Sequence, residues 1–226
     1  MPKFDLQSLP ERPDLSLEQA LWSAGIERVG GIDEAGRGAW AGPVAAAVVV
    51  LPPAMEIYQL LAGVRDSKQM SPAQRDQWAG EIKTAALAWS VSFASNREID
   101  ELGILPATRL AAQRALAHLP IQPDHLLVDY LALPEISLPQ TALVKGDARS
   151  LSIAAASVLA KTARDALMIE LDRAHPGYGF ARHKGYGTAA HREALLALGP
   201  CPLHRASYEP VGDAGARVGI DKGGPV

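Results

Sequence analysis

One cysteine, Cys201, stands in 226 residues. A lone thiol excludes an intramolecular disulfide and any cysteine-cluster metal site, and it fits a reducing compartment. Long apolar runs are also missing. The longest, residues 39–55, is broken by Gly42, Pro43, Pro52 and Pro53 and falls short of the ~20 residues a membrane helix needs. Residues 1–13 carry Asp5, Glu11 and prolines and lack the apolar core of a signal peptide. These absences predict a cytoplasmic protein with no membrane partner. No internal repeat is present. Hydrophobic residues at 48% and charged residues at 21% exclude a disordered, collagen-like or coiled-coil chain.

The length suits one domain with tails: a lead-in over 1–27, a main domain over 28–211 and a glycine-rich, frayed tail over 212–226. The net charge of −3 does not by itself suggest a nucleic-acid partner, but its distribution is uneven. Residues 1–144 hold 11 basic and 17 acidic side chains, whereas residues 145–192 hold 8 basic and 4 acidic. A basic segment on an acidic protein is either a phosphate-contacting face or a solvated helix surface.

Residues 29–33 and 44–51 read as strands, the second apolar on both faces and therefore buried. A glycine-rich turn joins them, as in an antiparallel hairpin. Ser16 reads as the cap of a short helix ended by Gly25. Ser71-Pro72 opens a helix to about residue 87. Residues 89–94 read as a strand, 98–102 and 106–119 as helix, and 125–129 and 141–144 as short strands. Residues 151–174 carry the clearest helical stripe, with Ala156, Ala160, Ala163, Leu167 and Leu171 at the 3.6-residue period. Residues 188–198 form a last helix. A strand meander followed by mixed strands and helices predicts an α/β fold with antiparallel and parallel strands.

Three apolar strands each deliver acid at or just past their C-terminal end: Asp33 and Glu34, then Asp129, then Asp147. Buried neighbouring carboxylates repel, and one is protonated unless a cation sits between them. Hard oxygen ligands without cysteine select Mg²⁺ or Mn²⁺ over zinc. Two such ions suit phosphoryl transfer. Against this stands the plainer reading, in which the acids cap turns or pair with Arg37, Lys68 and Lys145. Asp165, at the edge of the helical stripe, competes with Asp147 for the fourth place, although a glycine-flanked loop acid reaches a shared ion more freely.

The segment Gly31-Ile32-Asp33-Glu34-Ala35-Gly36-Arg37-Gly38, followed by Ala41-Gly42-Pro43-Val44, resembles the N-terminal signature of ribonuclease HII, the prokaryotic type 2 ribonuclease H. Further segments agree in order: Asp66-Ser67-Lys68; Val144-Lys145-Gly146-Asp147 with Ile153-Ala154-Ala155-Ala156-Ser157 and Ala160-Lys161; His183-Lys184-Gly185-Tyr186; and Ser207-Tyr208-Glu209-Pro210-Val211. The resemblance implies a ribonuclease H-like α/β fold, a mixed sheet flanked by helices. It implies a monomeric endonuclease that cleaves the RNA strand of RNA–DNA hybrids and nicks 5′ of single ribonucleotides in duplex DNA, as in ribonucleotide repair. The family's four acids carry over to Asp33, Glu34, Asp129 and Asp147, with Mn²⁺ or Mg²⁺, two ions during turnover. Gly36, Arg37, Gly38 and Tyr186 are implied readers of the 2′-hydroxyl, the group that separates RNA from DNA locally. Ser67, Lys68, Lys145 and Lys184 are expected to hold phosphates.

Two positions depart from the resemblance. Tyr130 follows Asp129 where glycine is usual, and Trp40 stands in the glycine-rich turn, where burial is the plain expectation. The related ribonuclease HIII carries an extra N-terminal domain, for which the roughly 28 residues before the first strand leave no space. A non-catalytic nucleic-acid-binding module is the alternative of a different class, although four clustered acids repel phosphate when no metal is bound. A small-molecule phosphatase is another.

Overall fold

The computed structural model describes residues 9–217. Its strands are β1 (Val29–Ala35), β2 (Val44–Val50), β3 (Ala88–Ala94), β4 (His125–Asp129) and β5 (Gln140–Leu143), in the sheet order β3-β2-β1-β4-β5. Its helices are α1 (Ser16–Ser23), α2 (Glu56–Leu60), α3 (Pro72–Ala85), α4 (Asn96–Leu102) and α5 (Ile104–Ala117), then α6 (Leu151–Ala174), α7 (Phe180–His183), α8 (Ala189–Leu198) and α9 (Glu209–Arg217).

Every residue of β2 is buried, as its unbroken valine and alanine composition requires. β1 pairs with β2 antiparallel, from Gly30↔Val50 to Ala35↔Ala45, so the expected hairpin is present. β4 lies parallel to β1 and β5 parallel to β4. Parallel pairing brings the C-terminal ends of these three strands to one edge of the sheet. The register sets Ile32 opposite Val128 and Asp129 opposite Leu143, so Asp33 and Asp129 leave neighbouring strands at the same level.

The chain divides into two compact units. The first runs to Ala35 and takes in Ala45–Phe93 and Arg109–Ala163; the second comprises Gly36–Val44, Ala94–Thr108 and the chain from Arg164 onward. The core of the first packs Val49, Leu51, Ile57, Leu61 and Ile82 against Leu151, Ala155, Val158 and Leu159 of α6. The second holds Ala41, Met168, Tyr178 and Phe180 in one cluster, and Leu195, Val211 and Ala214 in another.

Helix α6 approaches β1 so closely that Gly31 has no room for a side chain. A Cβ there would lie 2.2 Å from the Ser152 carbonyl carbon and 2.5 Å from the Ile153 nitrogen. The helix starts with a buried carboxylate. Glu18 of α1 accepts hydrogen bonds from the Ser150 hydroxyl at 2.5 Å, the Ser152 hydroxyl at 2.6 Å and the Ser152 N–H at 3.0 Å. An acid at a helix N-terminus meets unpaired amides and the positive end of the dipole. Burial nonetheless raises the Glu18 pKa. Residues read as a lead-in therefore belong to the first unit: Leu17, Leu21, Trp22 and Ile26 pack on Val29, Leu127, Leu143 and Ile153.

Most elements follow the sequence reading, and the differences lie at ends and short helices. Asp14, not Ser16, satisfies the start of α1, its carboxylate accepting from the Ser16 N–H at 2.8 Å. The expected tail from residue 212 is instead helical as far as Arg217, because Val211 and Ala214 are buried against Leu195. The rest of that tail, residues 218–226, lies outside the described residues. No described helix is long and apolar enough to cross a membrane.

Gly31→Ala tests the strand–helix contact. Backbone cannot move aside as a flexible side chain can, so the added methyl should cost about 3 kcal/mol. A urea midpoint equal to wild type would show that α6 lifts off β1 without cost.

Candidate active site

Asp33, Asp129 and Asp147 converge. Each offers a carboxylate oxygen, and these oxygens all lie within 4.8 Å of one another. Asp33 is 4% exposed on β1, its Oδ1 accepting the Glu34 N–H at 2.7 Å. Asp129 ends β4, and its Oδ1 accepts the Gly146 N–H at 2.7 Å. Glycine permits that approach: a Cβ at 146 would stand 2.7 Å from Ile153 Cδ1 and 3.2 Å from Asp129 Oδ1. Asp147 is buried on the single 3₁₀ turn Gly146–Ala148. Glu34 stands beside this trio on β1 and is not among the three converging oxygens.

Crowding shows in the electrostatics. Burial, then Glu34 and Asp129, push the Asp33 carboxyl well above the usual range, against the pull of the Ser157 hydroxyl and the Glu34 N–H. Burial and Asp147 raise Asp129 to about 6, partly offset by the Gly146 N–H. The local cation is Lys68, whose ammonium lies 3.5 Å from Asp147 Oδ2 and 3.8 Å from Asp66 Oδ1. Some desolvation works against its charge, but Asp66, Asp33 and Asp147 together hold its pKa above the ordinary value. Three hard oxygens, mutually repelled and two of them held above their usual pKa, fit a divalent cation of the Mg²⁺ or Mn²⁺ kind.

The residues expected to hold phosphate fare differently. Lys145 is exposed on the turn before Asp147, and Lys68 reaches the acids. Ser67 is buried, and its hydroxyl meets the Ser157 hydroxyl at 2.9 Å. It supports the residue that bonds Asp33 instead of facing outward, because its 3₁₀ turn, capped by Asp66, points it inward.

Gly36, Arg37, Gly38, Lys184 and Tyr186 fall in the second unit, where two segments interlock. Ala39 pairs antiparallel with Tyr186, and the Trp40 and Ala41 N–H groups donate to the Gly185 carbonyl at 2.8 and 3.3 Å. Two fully buried guanidiniums hold this assembly. Arg164 donates to the carbonyls of Pro43 at 2.8 Å, Lys184 at 2.9 Å and Ala41 at 3.2 Å. Arg205 donates to Gly36 at 2.7 Å, Arg37 at 2.8 Å, Gly42 at 3.0 Å and Pro43 at 3.2 Å. A Cβ on Gly36, whose φ is +98°, would sit 1.9 Å from Arg164 Nε, so that glycine is required by space as well as by conformation. Burial lowers the Arg164 pKa to about 10, still charged at neutrality. The guanidinium carbon lies 5.3 Å from the Tyr186 ring centre. The Lys184 ammonium donates to the Ala181 carbonyl of α7.

A neutral histidine chain backs the same segment. The Cys201 N–H donates to His204 Nδ1 at 2.9 Å. His204 Nε2 is then the protonated nitrogen and donates to His191 Nε2 at 3.1 Å, leaving His191 Nδ1–H for the Tyr186 carbonyl at 3.0 Å. Burial lowers both histidines to about 4.

Arg164, Arg205, His191, His204 and the supporting role of Ser157 are absent from the sequence reading. A signal existed for Arg164, which follows Ala160 and precedes Met168 at helical spacing on the apolar side of α6. Asp165 is buried in α6 and belongs to the second unit, whereas the three aspartates belong to the first. Trp40 is half-buried, packed with Leu195, Val211 and Ala214.

Comparison with known proteins agrees with this geometry. The sequence pattern described as Ribonuclease HII matches residues 30–211. A ribonuclease HII of Chloroflexus aurantiacus is 56% identical over 205 residues, covering 89% of this chain and 96% of the relative. One of Thermus thermophilus is 53% identical over 201 residues, covering 89% and 95%. Among solved structures, the ribonuclease H2 of Pyrococcus horikoshii OT3 superposes with a TM-score of 0.70 at 26% identity, over 84% of this chain and 98% of that one.

With divalent ions chelated, the crowded acids should cost stability as pH rises. Asp129 keeps its proton up to about 6 when folded, above its unfolded value, so its contribution is present below the unfolded pKa and is lost as pH climbs through 6. Asp129→Asn retains an Oδ1 acceptor for Gly146. In EDTA its thermal midpoint is expected to match wild type near pH 4 and to exceed it increasingly above pH 6. A gap that does not change with pH would contradict the repulsion.

Proposed function

The chain belongs to the ribonuclease HII family and is an endonuclease of the ribonuclease H type, and on that premise we propose that it nicks duplex DNA on the 5′ side of an embedded ribonucleotide, besides cutting the RNA strand of RNA–DNA hybrids. The observation that carries this is the convergence of Asp33, Asp129 and Asp147 within 4.8 Å at the ends of parallel strands.

Those three aspartates would hold Mn²⁺ or Mg²⁺, with Glu34 beside Asp33 completing the ligand set. Ions bound there supply Lewis-acid activation of water and charge stabilisation on the leaving oxygen. Lys68, 3.5 Å from Asp147, sets a positive charge against the cluster and stands ready for a phosphate oxygen. Lys145, exposed before Asp147, takes a neighbouring phosphate.

The position of the nick demands a separate reader. A ribose 2′-hydroxyl adjoins the phosphate on its 3′ side, so cutting on the 5′ side cannot use it as the nucleophile. Water attacks phosphorus, the bond to the preceding 3′ oxygen breaks, and the products carry 3′-hydroxyl and 5′-phosphate ends. The hydroxyl acts only as a recognition mark. Gly36, Arg37 and Gly38 are suited to read it: Arg205 takes up the carbonyls of Gly36 and Arg37, which leaves amide donors there to meet a hydroxyl. Tyr186, fixed by His191 and Arg164, packs against the adjoining sugar. In this reading residues 28–211 make up the catalytic domain.

The test is a labelled DNA duplex with one ribonucleotide, incubated with Mg²⁺, Mn²⁺ or EDTA. A metal-dependent nick 5′ of the ribonucleotide, leaving a 5′-phosphate, is expected. A 2′,3′-cyclic phosphate product, or cutting in EDTA, would overturn the mechanism. Asp33→Asn should lower turnover about 10³-fold or more without loss of fold. Tyr186→Ala should impair cutting at the embedded ribonucleotide more than duplex binding; equal losses would make it a packing residue.

A further inference from the structure

Among the described residues, three that are not glycine have positive φ: Tyr130 at 56°, Lys145 at 58° and Lys184 at 53°. Each lies within two positions of a residue assigned to the site, namely Asp129, Asp147 and Tyr186. Left-handed backbone disfavours side chains with a Cβ, and such strain persists where surroundings impose it. Tyr130 is the most demanding case. The Leu131 N–H donates to the Asp129 carbonyl at 2.6 Å, closing a three-residue turn with Tyr130 at its centre. At positive φ this is the strained form of that turn. The Tyr130 N–H donates to the Leu143 carbonyl at 2.8 Å, which ties the turn to the end of β5.

The ring gains little burial in return. It is 69% exposed, the highest value among the exposed large apolar side chains of the described residues. Next along the neighbouring strand come Val144, itself 44% exposed, and Lys145, also exposed. An aromatic ring, an aliphatic side chain and a cation thus border the aspartate cluster on one rim of the first unit.

We propose that Tyr130 is a substrate-contacting residue, its ring packing on a sugar of the bound nucleic acid beside the phosphate to be cut. A paired duplex keeps its base faces stacked, so an outside ring meets sugars at the groove edge, while Lys145 meets phosphate. The proposal rests on the reading that Asp129 serves the cleavage site.

The experiment compares Tyr130→Gly, Tyr130→Phe, Lys145→Ala and Asp129→Asn with the intact chain on a labelled RNA–DNA hybrid. Glycine relieves the backbone, so the urea midpoint of Tyr130→Gly should rise while its KM rises about fivefold, the loss falling on KM more than on kcat. Tyr130→Phe should recover most of that loss. The salt dependence of binding should keep its slope in Tyr130→Gly and lose about one unit in Lys145→Ala. A Tyr130→Gly variant with unchanged KM, or one whose loss lies wholly in kcat, overturns the proposal, as does failure of Tyr130→Phe to recover it. Full turnover by Asp129→Asn would overturn the reading of the site and the proposal with it. An inactive Asp129→Asn beside unchanged KM in Tyr130→Gly overturns the proposal alone.

Discussion

Three carboxylates that repel one another are held together by a sheet that does not let them part. Asp33 and Asp129 leave β1 and β4 at the same level because parallel register fixes them there, and Asp147 is brought in by a turn whose glycine amide bonds Asp129. Much of the first unit serves that arrangement. Ser67 and Ser157 stand behind Asp33, Lys68 leans in from its own turn, and α6 presses directly on the backbone of Gly31. The fold stores electrostatic strain of a kind that a divalent cation would relieve.

The second unit solves a different problem with opposite charge. Buried guanidiniums carry a desolvation cost that needs full hydrogen bonding, and here Arg164 and Arg205 find it in backbone carbonyls contributed by Gly36, Arg37, Ala41, Gly42, Pro43 and Lys184. Gly36, Gly38 and Gly42 bring no side chains of their own to this turn. The guanidiniums fix its backbone beside the packing of Ala41 and Trp40. The histidine chain does the same for Tyr186 with neutral groups, its proton order fixed from one end by the Cys201 amide.

Much of this was legible in the sequence. The aspartates announce themselves because an acid after an apolar strand has few inexpensive explanations, and the β1–β2 hairpin and α6 follow from period and turn composition. What was not legible depends on partners far away in the chain. The basic excess of residues 145–192 suggested either a phosphate-binding face or a solvated helix, yet Arg164, within it, is wholly buried. Its reason for burial is a set of carbonyls some 120 positions earlier, which no local pattern encodes. The direction of Ser67 is another such case: its hydroxyl turns to Ser157, 90 positions on, which no local pattern shows. Short helices such as α7, and the extension of α9 through Gly212, escape propensity arguments because packing decides them.

The contact between Glu18 and the start of α6 spans more than 130 positions. Chain synthesis runs from one end to the other, so α1 emerges long before the amides and hydroxyls its glutamate caps. Until Ser152 has left the ribosome, Glu18 has no partner, and the face of β1 that Gly31 keeps flat has no lid. Asp33 is among the first residues of the sheet to be made, yet its surroundings are completed by residues from the second half of the chain. Such long-range closure slows folding, and it means that a nascent chain carries its first acid for most of its synthesis without the site that gives the acid a purpose.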